Sequence, residues 1–491
     1  MKSSLLLAVL YCSRGSSLQD SARCQPATVS PSPVTHWYAE DGLDVSRVSF
    51  SSCYLPEDMG GSNFWSDMRG RGTDLWLWLG DNMYMDGTDM NAKRELYNAA
   101  RDEAGYVEQG PVMAGNKIPV MATWDDHDCC QDNAGNDFPC LAESQQEFVK
   151  HFNIPPSDPV HPDSPDYHLG IYNSRLFSKP GSEEPGLHVI MLDARSGRDP
   201  TYSYHGECRG AETQMLSQYQ WTWLEEELRK ESEITIIGSG IQVLPPTDQT
   251  RERGDYCADD SHSGGGSAFL DSIAAVGEDA DWLGTSYESW AEIPRERLRL
   301  LGLAQKSINE GKTKAVIFVS GDQHWAELMA KKMPDSVEFG PSQVLYEVTA
   351  SGVPRLFNYD IVNSNRLRDR SCNSQGSGPY NQACVFPFRY QGSTYTECTT
   401  AGSSEPWCST KTDSTNSHMS GYWGHCDHME NELVQTSYSD STKTCTLSNY
   451  HICYAQGNYG FIEVDFDNKK VRMGIKTPTE DEQAFHQISY S

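Results

Sequence analysis

Residues 124–128 read Trp-Asp-Asp-His-Asp and directly follow the apolar run 118–123. Three carboxylates within four positions repel one another, and burying them costs free energy that a hydrophobic core does not return. Carboxylate and imidazole groups are, however, ligands for hard and borderline metal cations. The cluster therefore predicts a cation-binding site at the end of a buried strand.

Four further apolar runs, 45–50, 75–79, 188–192 and 315–319, end in residues of similar chemistry. The segments at these ends are Ser51-Ser52-Cys53, Gly80-Asp81-Asn82-Met83-Tyr84, Asp193-Ala194-Arg195-Ser196-Gly197-Arg198 and Gly321-Asp322-Gln323-His324. Any one of them alone is most often a turn with a side-chain cap. Because ligands bind outside the carboxyl ends of strands in open α/β sheets, five such ends together indicate one shared site.

The residue types at these ends suit metal-dependent hydrolysis of a phosphate ester. The Cys53 thiolate adds affinity for iron or zinc to a set of oxygen and nitrogen ligands. A carboxylate such as Asp81 can bridge two ions, and a metal-bound water is a nucleophile near neutral pH, so that no serine nucleophile is required. Arg195 and Arg198 carry planar guanidinium groups that bind phosphate oxygens bidentately.

The composition restricts the class of protein. The chain has 491 residues, of which 37% are hydrophobic, and a formal net charge of −30. Because binding to nucleic acid or to anionic lipid requires a basic surface, this charge argues against both as general partners. No apolar run approaches the roughly 20 residues that a membrane helix needs, so no membrane span is expected.

The N-terminus and the 15 cysteines indicate an oxidising compartment. Lys2 precedes the short apolar run 5–11, and small polar residues follow it, as is typical of a secretory signal peptide. We therefore predict a signal peptide over residues 1–17 and a secreted, extracellular protein.

The pattern of elements indicates an α/β fold. Short β-branched runs at 45–50, 75–79, 118–123, 188–192, 234–237, 315–319 and 343–349 are typical of strands buried on both faces. Helices are predicted at 220–229 and at 294–309, and the second opens with Pro294 and ends before Gly311. Strands that alternate with helices predict an α/β or layered αββα architecture.

Six motifs occur in the order seen in the alkaline phosphatase D (PhoD-like) metallophosphatases, and the chain resembles that family over residues 45–355 and 455–480. The resemblance implies a central β-sandwich flanked by helices, and a centre of Fe³⁺ and Ca²⁺, with zinc or another divalent ion as the alternative. The motifs are Ser-Cys at 52–53, Gly-Asp-Asn-Met-Tyr at 80–84, Trp-Asp-Asp-His-Asp at 124–128, Leu-Asp-Ala-Arg-Ser-Gly-Arg-Asp at 192–199, Gln-Trp-Thr-Trp-Leu at 220–224 and Gly-Asp-Gln-His at 321–324.

The resemblance also implies roles for individual residues. Asp81 would bridge the ferric ion and a second ion. His127 would protonate the leaving alkoxide or contact the phosphate, and Arg195 would be a phosphate contact. The implied metal ligands are Cys53, Asp81, Tyr84, Asp126, Asp322 and His324.

One segment departs from the family pattern. Relatives typically continue from the acidic motif to Asn-Asp, whereas this chain has the order Asp132-Asn133. Either Asp132 replaces the asparagine as a charged metal ligand, or the register shifts so that Asn133 serves.

The cysteines near the site lead to two further expectations. The vicinal residues Cys129 and Cys130 are expected to form disulfides with Cys140, Cys208 or Cys257. Cys53 is expected to stay unpaired, because only a thiolate binds a metal.

Residues 384–426 resemble a fibronectin type II module, with four cysteines interleaved with aromatic residues. A domain of this size needs disulfides because its core alone is marginal, and the family pairing implies Cys384–Cys408 and Cys398–Cys426. Such modules bind collagen, gelatin or glycans through exposed aromatic rings, unless the rings form the module's own core. The candidate rings are Tyr390, Trp407, Tyr422 and Trp423.

A strand-like pattern resumes at 459–466, so the module interrupts one domain and does not follow it. The predicted segments are a signal peptide at 1–17, an N-terminal segment at 18–44, the phosphatase core at 45–362, a linker at 363–383, the module at 384–426, a linker with disulfides at 427–454 and the closing strands of the core at 455–491.

The sequence therefore predicts a secreted, metal-dependent alkaline phosphatase that hydrolyses phosphate mono- or diesters through a metal-bound hydroxide. One alternative is a catalytically inactive matrix-binding protein on a phosphatase scaffold, which the Asp132-Asn133 order and the inserted module favour and the intact ligand set opposes. A second alternative is a nuclease, which the charge of −30 disfavours.

Overall fold

A computed structural model describes residues 24–59, 63–199, 213–244, 288–290, 293–324, 326–333, 335–353, 387–395, 399, 401–402, 407–409, 411–420, 423–425, 437–439, 444–446, 452–454, 458–476 and 484–491. The predicted signal peptide at 1–17, the linker at 363–383 and most of the linker at 427–454 lie outside these ranges.

Helices and strands alternate up to residue 350, and the described elements that follow are strands. The strands are β1 (Trp37–Tyr38), β2 (Arg47–Ser51), β3 (Leu75–Leu79), β4 (Pro119–Thr123), β5 (Asn173–Ser178), β6 (Pro185–Met191), β7 (Ile234–Ser239), β8 (Ala315–Ser320), β9 (Ala326–Lys332), β10 (Val344–Ala350), β11 (Phe388–Tyr390), β12 (Ser393–Tyr395), β13 (Trp407–Ser409), β14 (Trp423–His425), β15 (Ser437–Ser439), β16 (Thr444–Thr446), β17 (Ile452–Tyr454), β18 (Tyr459–Asp465), β19 (Lys470–Lys476) and β20 (Ala484–Ser489). The α-helices are α1 (Phe64–Gly70), α2 (Met90–Asp102), α3 (Ala104–Gln109), α4 (Asp126–Cys129), α5 (Leu141–Phe152), α6 (Gln218–Glu227) and α7 (Pro294–Asn309), and a 3₁₀ helix covers Pro56–Met59.

Most of these strands form two large sheets. The first sheet has the order β1-β4-β3-β2-β18-β19-β20-β16-β15, and the second has the order β17-β9-β10-β8-β7-β6-β5. Strands β1, β4, β3 and β2 run parallel in the first sheet, as do β6, β7, β8 and β10 in the second. The carboxyl ends of the parallel strands therefore share one edge in each sheet.

Strand β3 shows why the two sheets stack. It reads Leu-Trp-Leu-Trp-Leu, and successive side chains of a strand point to opposite faces. Leu75, Leu77 and Leu79 join the buried cluster between the sheets. Trp76 and Trp78 join a second cluster, beneath helices α1, α2 and α5. Because both faces of the strand are apolar, it requires a covering layer on each side.

A third apolar cluster covers the outer face of the second sheet. Ile237 of β7 and Phe318 of β8 belong to it together with Trp221 of α6 and Leu300 of α7. The layers therefore follow the order helices, sheet, sheet, helices. This arrangement confirms the predicted α/β class and the layered αββα architecture.

Both predicted helices are present. Helix α7 has the predicted bounds. Helix α6 begins two residues before the predicted start, because Ser217 caps it and its side chain accepts a hydrogen bond from the Gln220 amide at 3.2 Å.

The C-terminal strands return to the centre of the first sheet. Strand β18 pairs antiparallel with β2, with Ile462 opposite Val48, and β19 and β20 extend the sheet from there. The chain between residues 354 and 457, which contains the type II segment, thus connects two parts of one fold.

Within the type II segment, β11 pairs with β12 and β13 with β14. Trp407 is 5% exposed, and its ring packs against Phe388, Tyr390 and His418. This ring therefore belongs to the interior of the segment, whereas Tyr390 is only half-buried. Cys384, Cys398, Cys426 and Tyr422 lie outside the described residues, so the predicted pairs Cys384–Cys408 and Cys398–Cys426 stay predictions.

A disulfide joins Cys24 to Cys140, across 116 residues. It fastens the start of the described chain to the residue before helix α5, and both half-cystines lie in the cluster beneath the helices. Across the described ranges, no helix has the length and hydrophobicity needed to cross a membrane.

Helix α6 is attached to the second sheet by a buried carboxylate. Oε2 of Glu227 accepts a hydrogen bond from the hydroxyl of Ser174 of β5 at 2.7 Å and is hydrogen-bonded to Nε2 of His188 of β6 at 3.0 Å. Nζ of Lys230 lies 2.7 Å from the same oxygen. Burial alone would raise the pKa of Glu227, but the partners His188, Lys230 and Ser174 lower it from 4.5 to about 2. The ionised form is therefore more stable in the folded chain than in the unfolded one.

We expect Glu227→Gln to lower the free energy of unfolding at pH 7 by roughly 1–3 kcal/mol, as for other hydrogen bonds to charged groups. The stabilisation is complete above pH 4.5 and is lost as the pH falls towards 2, because the folded pKa is the lower of the two. Urea denaturation of both proteins between pH 2 and 7 should show the difference shrinking over that interval. The exposed neighbour Glu226→Gln is the matched control, and an effect of equal size there would contradict the assignment.

Candidate metal centre

Strand ends from both sheets meet at one place. Cys53 follows β2, Asp81 follows β3 and His324 follows β8, and their ligand atoms lie within 4.8 Å of one another. Two further groups satisfy the same distance and share members with the first. They are Asp81, Asp126 and His127, and Asp125, Asp126 and Asp322.

Tyr84 lies beside the first group. Its hydroxyl is 3.0 Å from Nε2 of His324, and its ring centroid is 4.7 Å from that of His127. Cys53 is buried, forms no disulfide, and has its Sγ 3.6 Å from Oδ2 of Asp81. The sulfur of Cys53, the phenol oxygen of Tyr84, a carboxylate and an imidazole are thus within reach of a single cation, and this combination suits iron or zinc.

Four of the predicted ligands have left-handed backbone conformations. The φ angle is 61° at Cys53, 49° at Asp81, 67° at Asp322 and 57° at His324. For a residue other than glycine, this conformation costs about 1–3 kcal/mol and persists only where the surrounding structure imposes it. Such strain concentrates at functional sites. Here each of these residues turns the backbone sharply just after a strand.

Two glycines allow the strand ends to approach each other. Gly80 has a φ of 96°, and a Cβ there would lie 2.5 Å from the Cβ of Asp125. A Cβ on Gly240, after strand β7, would lie 2.8 Å from Oδ1 of the same aspartate. A side chain at either position would displace Asp125.

The charges of the site are poorly balanced. Burial, reinforced by neighbouring carboxylates, raises the pKa of Asp81 and of Asp322 well above the usual range. Burial would also raise the pKa of Asp126, but His127 and Arg195 lower it below its usual value. Burial alone would lower the pKa of His127, and the carboxylates of Asp126 and Asp81 instead raise it to about 11. The site therefore has an excess of negative charge.

The residues present fit one or more cations. Oδ1 of Asp81 and Oδ2 of Asp125 are buried and have no hydrogen-bond partner among the residues that the structure describes. A buried carboxylate oxygen without a partner is costly, and a cation would remove that cost. The donor set combines oxygen, nitrogen and sulfur, so it accommodates both a hard and a borderline ion.

The two predicted arginines lie behind the carboxylates. Nε of Arg195 is 2.5 Å from Oδ1 of Asp125, and its Nη2 is 3.9 Å from Asp126. Nη1 of Arg195 and Nη2 of Arg198 each lie 2.5 Å from a carboxylate oxygen of Glu288. Because both guanidinium groups are fully buried, Arg195 positions the acidic cluster in this structure, and its role as a phosphate contact stays a prediction.

Sequence reasoning did not identify Glu288. It belongs to no motif and follows no apolar run, and its acidic side chain has no distinguishing signal in the sequence. In the structure its backbone oxygen also accepts a hydrogen bond at 3.1 Å from Gln323, which lies between Asp322 and His324. Glu288 therefore contacts both the arginine pair and the segment that carries two predicted ligands.

Asp132 and Asn133, whose order departs from the family pattern, lie at the outer edge of the site. Nε2 of His127 is 3.8 Å from Oδ1 of Asp132, and its Nδ1 is 2.8 Å from Oδ1 of Asp86. The backbone N–H of Asn133 donates to Oδ2 of Asp126 at 2.7 Å. Asp132 is in none of the three groups found among the described residues, and its predicted role as a ligand stays a prediction.

Cys129 and Cys130 form a disulfide with each other. The expected pairing with Cys140, Cys208 or Cys257 is wrong, because both adjacent side chains turn into the same buried cluster and Cys140 is bonded to Cys24. The bond immediately follows the acidic motif. Lys93 stabilises the backbone beside this bond, because its Nζ donates hydrogen bonds to the carbonyl oxygens of Asp128 and Cys129 at 2.8 and 3.3 Å.

We expect Glu288→Gln to lower the free energy of unfolding by about 3–5 kcal/mol, because it removes the carboxylate shared by two buried guanidinium groups. Urea denaturation of the purified full-length variants would measure the change. Glu310→Gln is the matched control, since Glu310 is about half exposed and forms only a distant ion pair with Lys306 at 3.8 Å. Equal stabilities of the two variants would contradict a bridging role for Glu288.

Known proteins resemble this chain in two regions. The PhoD-like phosphatase family matches residues 48–382, and the fibronectin type II domain matches residues 384–426. A solved structure described as "Structure of PhoD" is 14% identical in sequence, with 92% of this chain and 74% of that chain aligned and a TM-score of 0.44, a similarity too low to bear on function. Since the first match spans well over half of its length, the chain belongs to the PhoD-like phosphatase family and carries a fibronectin type II domain.

Proposed function

We propose that the protein is a secreted, metal-dependent phosphatase that hydrolyses phosphate mono- or diesters, and that its type II domain tethers it to extracellular matrix. The observation that carries the catalytic part is the set of three overlapping ligand groups joined by Asp81 and Asp126. Asp81 lies between the thiolate side and the carboxylate side of this set. The family match, which names a phosphatase, supports the same reaction class.

Two kinds of ion would be held by different residues. Cys53, Asp81 and Tyr84 would hold iron, because thiolate and phenolate donors favour it over calcium. The carboxylates of Asp126 and Asp322 would hold calcium, which prefers oxygen ligands, and zinc or another divalent ion is the alternative. When bound, such ions stabilise negative charge on phosphate oxygens and make water a nucleophile near neutral pH.

His127 is the group of this chain that would donate a proton to the leaving alkoxide. Its Nδ1 is hydrogen-bonded to Asp86, which holds the ring, and Nε2 is directed towards the less buried side near Asp132. The ring is 21% exposed, so that a substrate can reach it. Arg195 would keep Asp125 and Asp126 in place beneath the substrate.

The extracellular location is supported by two features. Type II domains and disulfides are typical of extracellular proteins, and the described residues contain the bonds Cys24–Cys140 and Cys129–Cys130. Collagen, gelatin or a glycan is the class of partner that a type II domain would bind.

We expect the purified protein, supplied with iron and calcium, to hydrolyse an aryl phosphate or an aryl phosphodiester. Asp81→Asn should lower kcat/KM by about 100- to 1,000-fold or more, because it removes a charge at the centre of the ligand groups. Initial rates on both esters, together with the metal content of each preparation, would test this and give the preferred ester class.

Asp89→Asn is the matched control for that experiment. Asp89 caps helix α2 by accepting hydrogen bonds from the amides of Asn91 and Ala92, and asparagine caps equally well. Absence of turnover by folded wild type with both metals supplied would contradict the enzymatic proposal. That result would favour the catalytically inactive matrix-binding protein instead.

The full chain should be retained on immobilised gelatin and released by soluble gelatin. Retention should be unchanged in Asp81→Asn, because the metal centre and the type II domain use different residues. Column retention of both proteins would measure this. Passage of wild type without delay would contradict gelatin binding and leave a glycan array as the next measurement.

A further inference from the structure

Ser351 directly follows strand β10 and is completely buried at the metal centre. Its Oγ lies 2.9 Å from Sγ of Cys53 and 2.7 Å from the backbone nitrogen of His324. One hydroxyl group therefore contacts two of the predicted ligands, which come from the ends of β2 and β8. In the sequence it lies two residues after the predicted strand run 343–349.

The backbone around Ser351 holds the hydroxyl in place. The amides of Gly352 and Val353 both donate to the carbonyl oxygen of Ser52, at 3.3 Å each, and this joins the end of β10 to the end of β2. The side chain of Asn458 donates to the carbonyl oxygen of Ser351 at 3.4 Å. The position of Oγ next to Cys53 is thus set by the fold of both sheets.

The contacts determine the direction of each hydrogen bond. The amide of His324 is a donor, so Oγ of Ser351 accepts that bond. The hydroxyl proton is then available for the sulfur of Cys53. A cysteine that binds a metal is a thiolate, which has no proton to give and can only accept.

We propose that Ser351 is a positioning residue that donates a hydrogen bond to the metal-binding sulfur of Cys53 and thereby weakens electron donation from that sulfur to iron. The inference deepens the proposed function and rests on it. Ser351 would act through Cys53. Its contact with the amide of His324 would hold the backbone of that second predicted ligand in place.

Other groups near the sulfur are less well placed for this role. Oγ of Ser52 is 3.3 Å from Sγ, and it also lies 3.5 Å from the carbonyl oxygen of Ala350. Oδ2 of Asp81 is farther away, at 3.6 Å, and an ionised carboxylate cannot donate. Ser351 therefore makes the shortest of these contacts with the sulfur, and the hydroxyl of Tyr84 is a further hydrogen-bond partner.

A hydrogen bond to a ligating sulfur changes its chemistry in a definite direction. It withdraws electron density from the sulfur, and such bonds are an established means of tuning metal sites. Its removal should make Cys53 a stronger donor, which favours Fe³⁺ over Fe²⁺. The reduction potential should fall, and the charge-transfer absorption from the thiolate to iron should move to longer wavelength.

The experiment uses the full chain reconstituted with iron, in wild type, Ser351→Ala and Ser351→Thr. The expected result is a lower midpoint potential in the one-electron reductive titration of Ser351→Ala and a shift of the Cys53 absorption band to longer wavelength. Ser351→Thr retains the hydroxyl and should restore both values. Ser307→Ala is the control, because Ser307 is also buried and donates its hydroxyl proton to a carbonyl oxygen, that of Leu228, outside the site.

A potential and an absorption band in Ser351→Ala that match those of wild type would overturn the proposal while leaving the proposed metal centre intact. Absence of any Cys53-dependent absorption in wild type, tested with Cys53→Ala, would overturn the metal centre and the proposal together. If Ser351→Ala does not fold, resonance Raman spectra of wild type in H₂O and D₂O decide the question. An iron–sulfur stretching band that does not shift on deuteration would overturn the hydrogen bond, and a shift is the expected result.

Discussion

Three buried carboxylates, those of Asp81, Asp125 and Asp126, and the half-buried carboxylate of Asp322 face one another where the two sheets meet, and much of the molecule serves to keep them there. Their repulsion would separate the strand ends if nothing opposed it. Backbone turns in left-handed conformations, close packing at Gly80, and the arginine pair bridged by Glu288 all hold the cluster together. The remaining negative charge is the property that makes this cluster a candidate cation site.

The sequence predicted the parts of this arrangement that depend on local order. Apolar runs followed by Asp, His, Tyr or Cys identify strands and the residues at their ends, because five such ends are harder to explain as separate turns than as one shared site. The alternation of Leu and Trp in β3 likewise indicates a strand covered on both faces. Six of the predicted ligands consequently lie together in the structure.

The parts that could not be predicted depend on contacts between distant segments. Ser351 and Glu288 are of ordinary residue types, and only the tertiary structure brings them to Cys53 and Arg195. The partner of Cys129 was predicted wrongly because spacing along a chain does not show which way two adjacent side chains turn. Arg195 contacts Asp125 and Glu288 in the structure, and whether a guanidinium group meets carboxylates or phosphate is decided by burial, which composition does not reveal.

The pairing of β18 with β2 has a consequence for biosynthesis. Ile462 lies opposite Val48, so the two halves of this pair leave the ribosome more than 400 residues apart. Until the later strand arrives, β2 has an unpaired edge, and such edges promote association between incomplete chains. The type II domain is synthesised during that interval. The first sheet is therefore complete only after the last strands are made, and a chain cut short after the domain would expose the edge of β2 to chaperones.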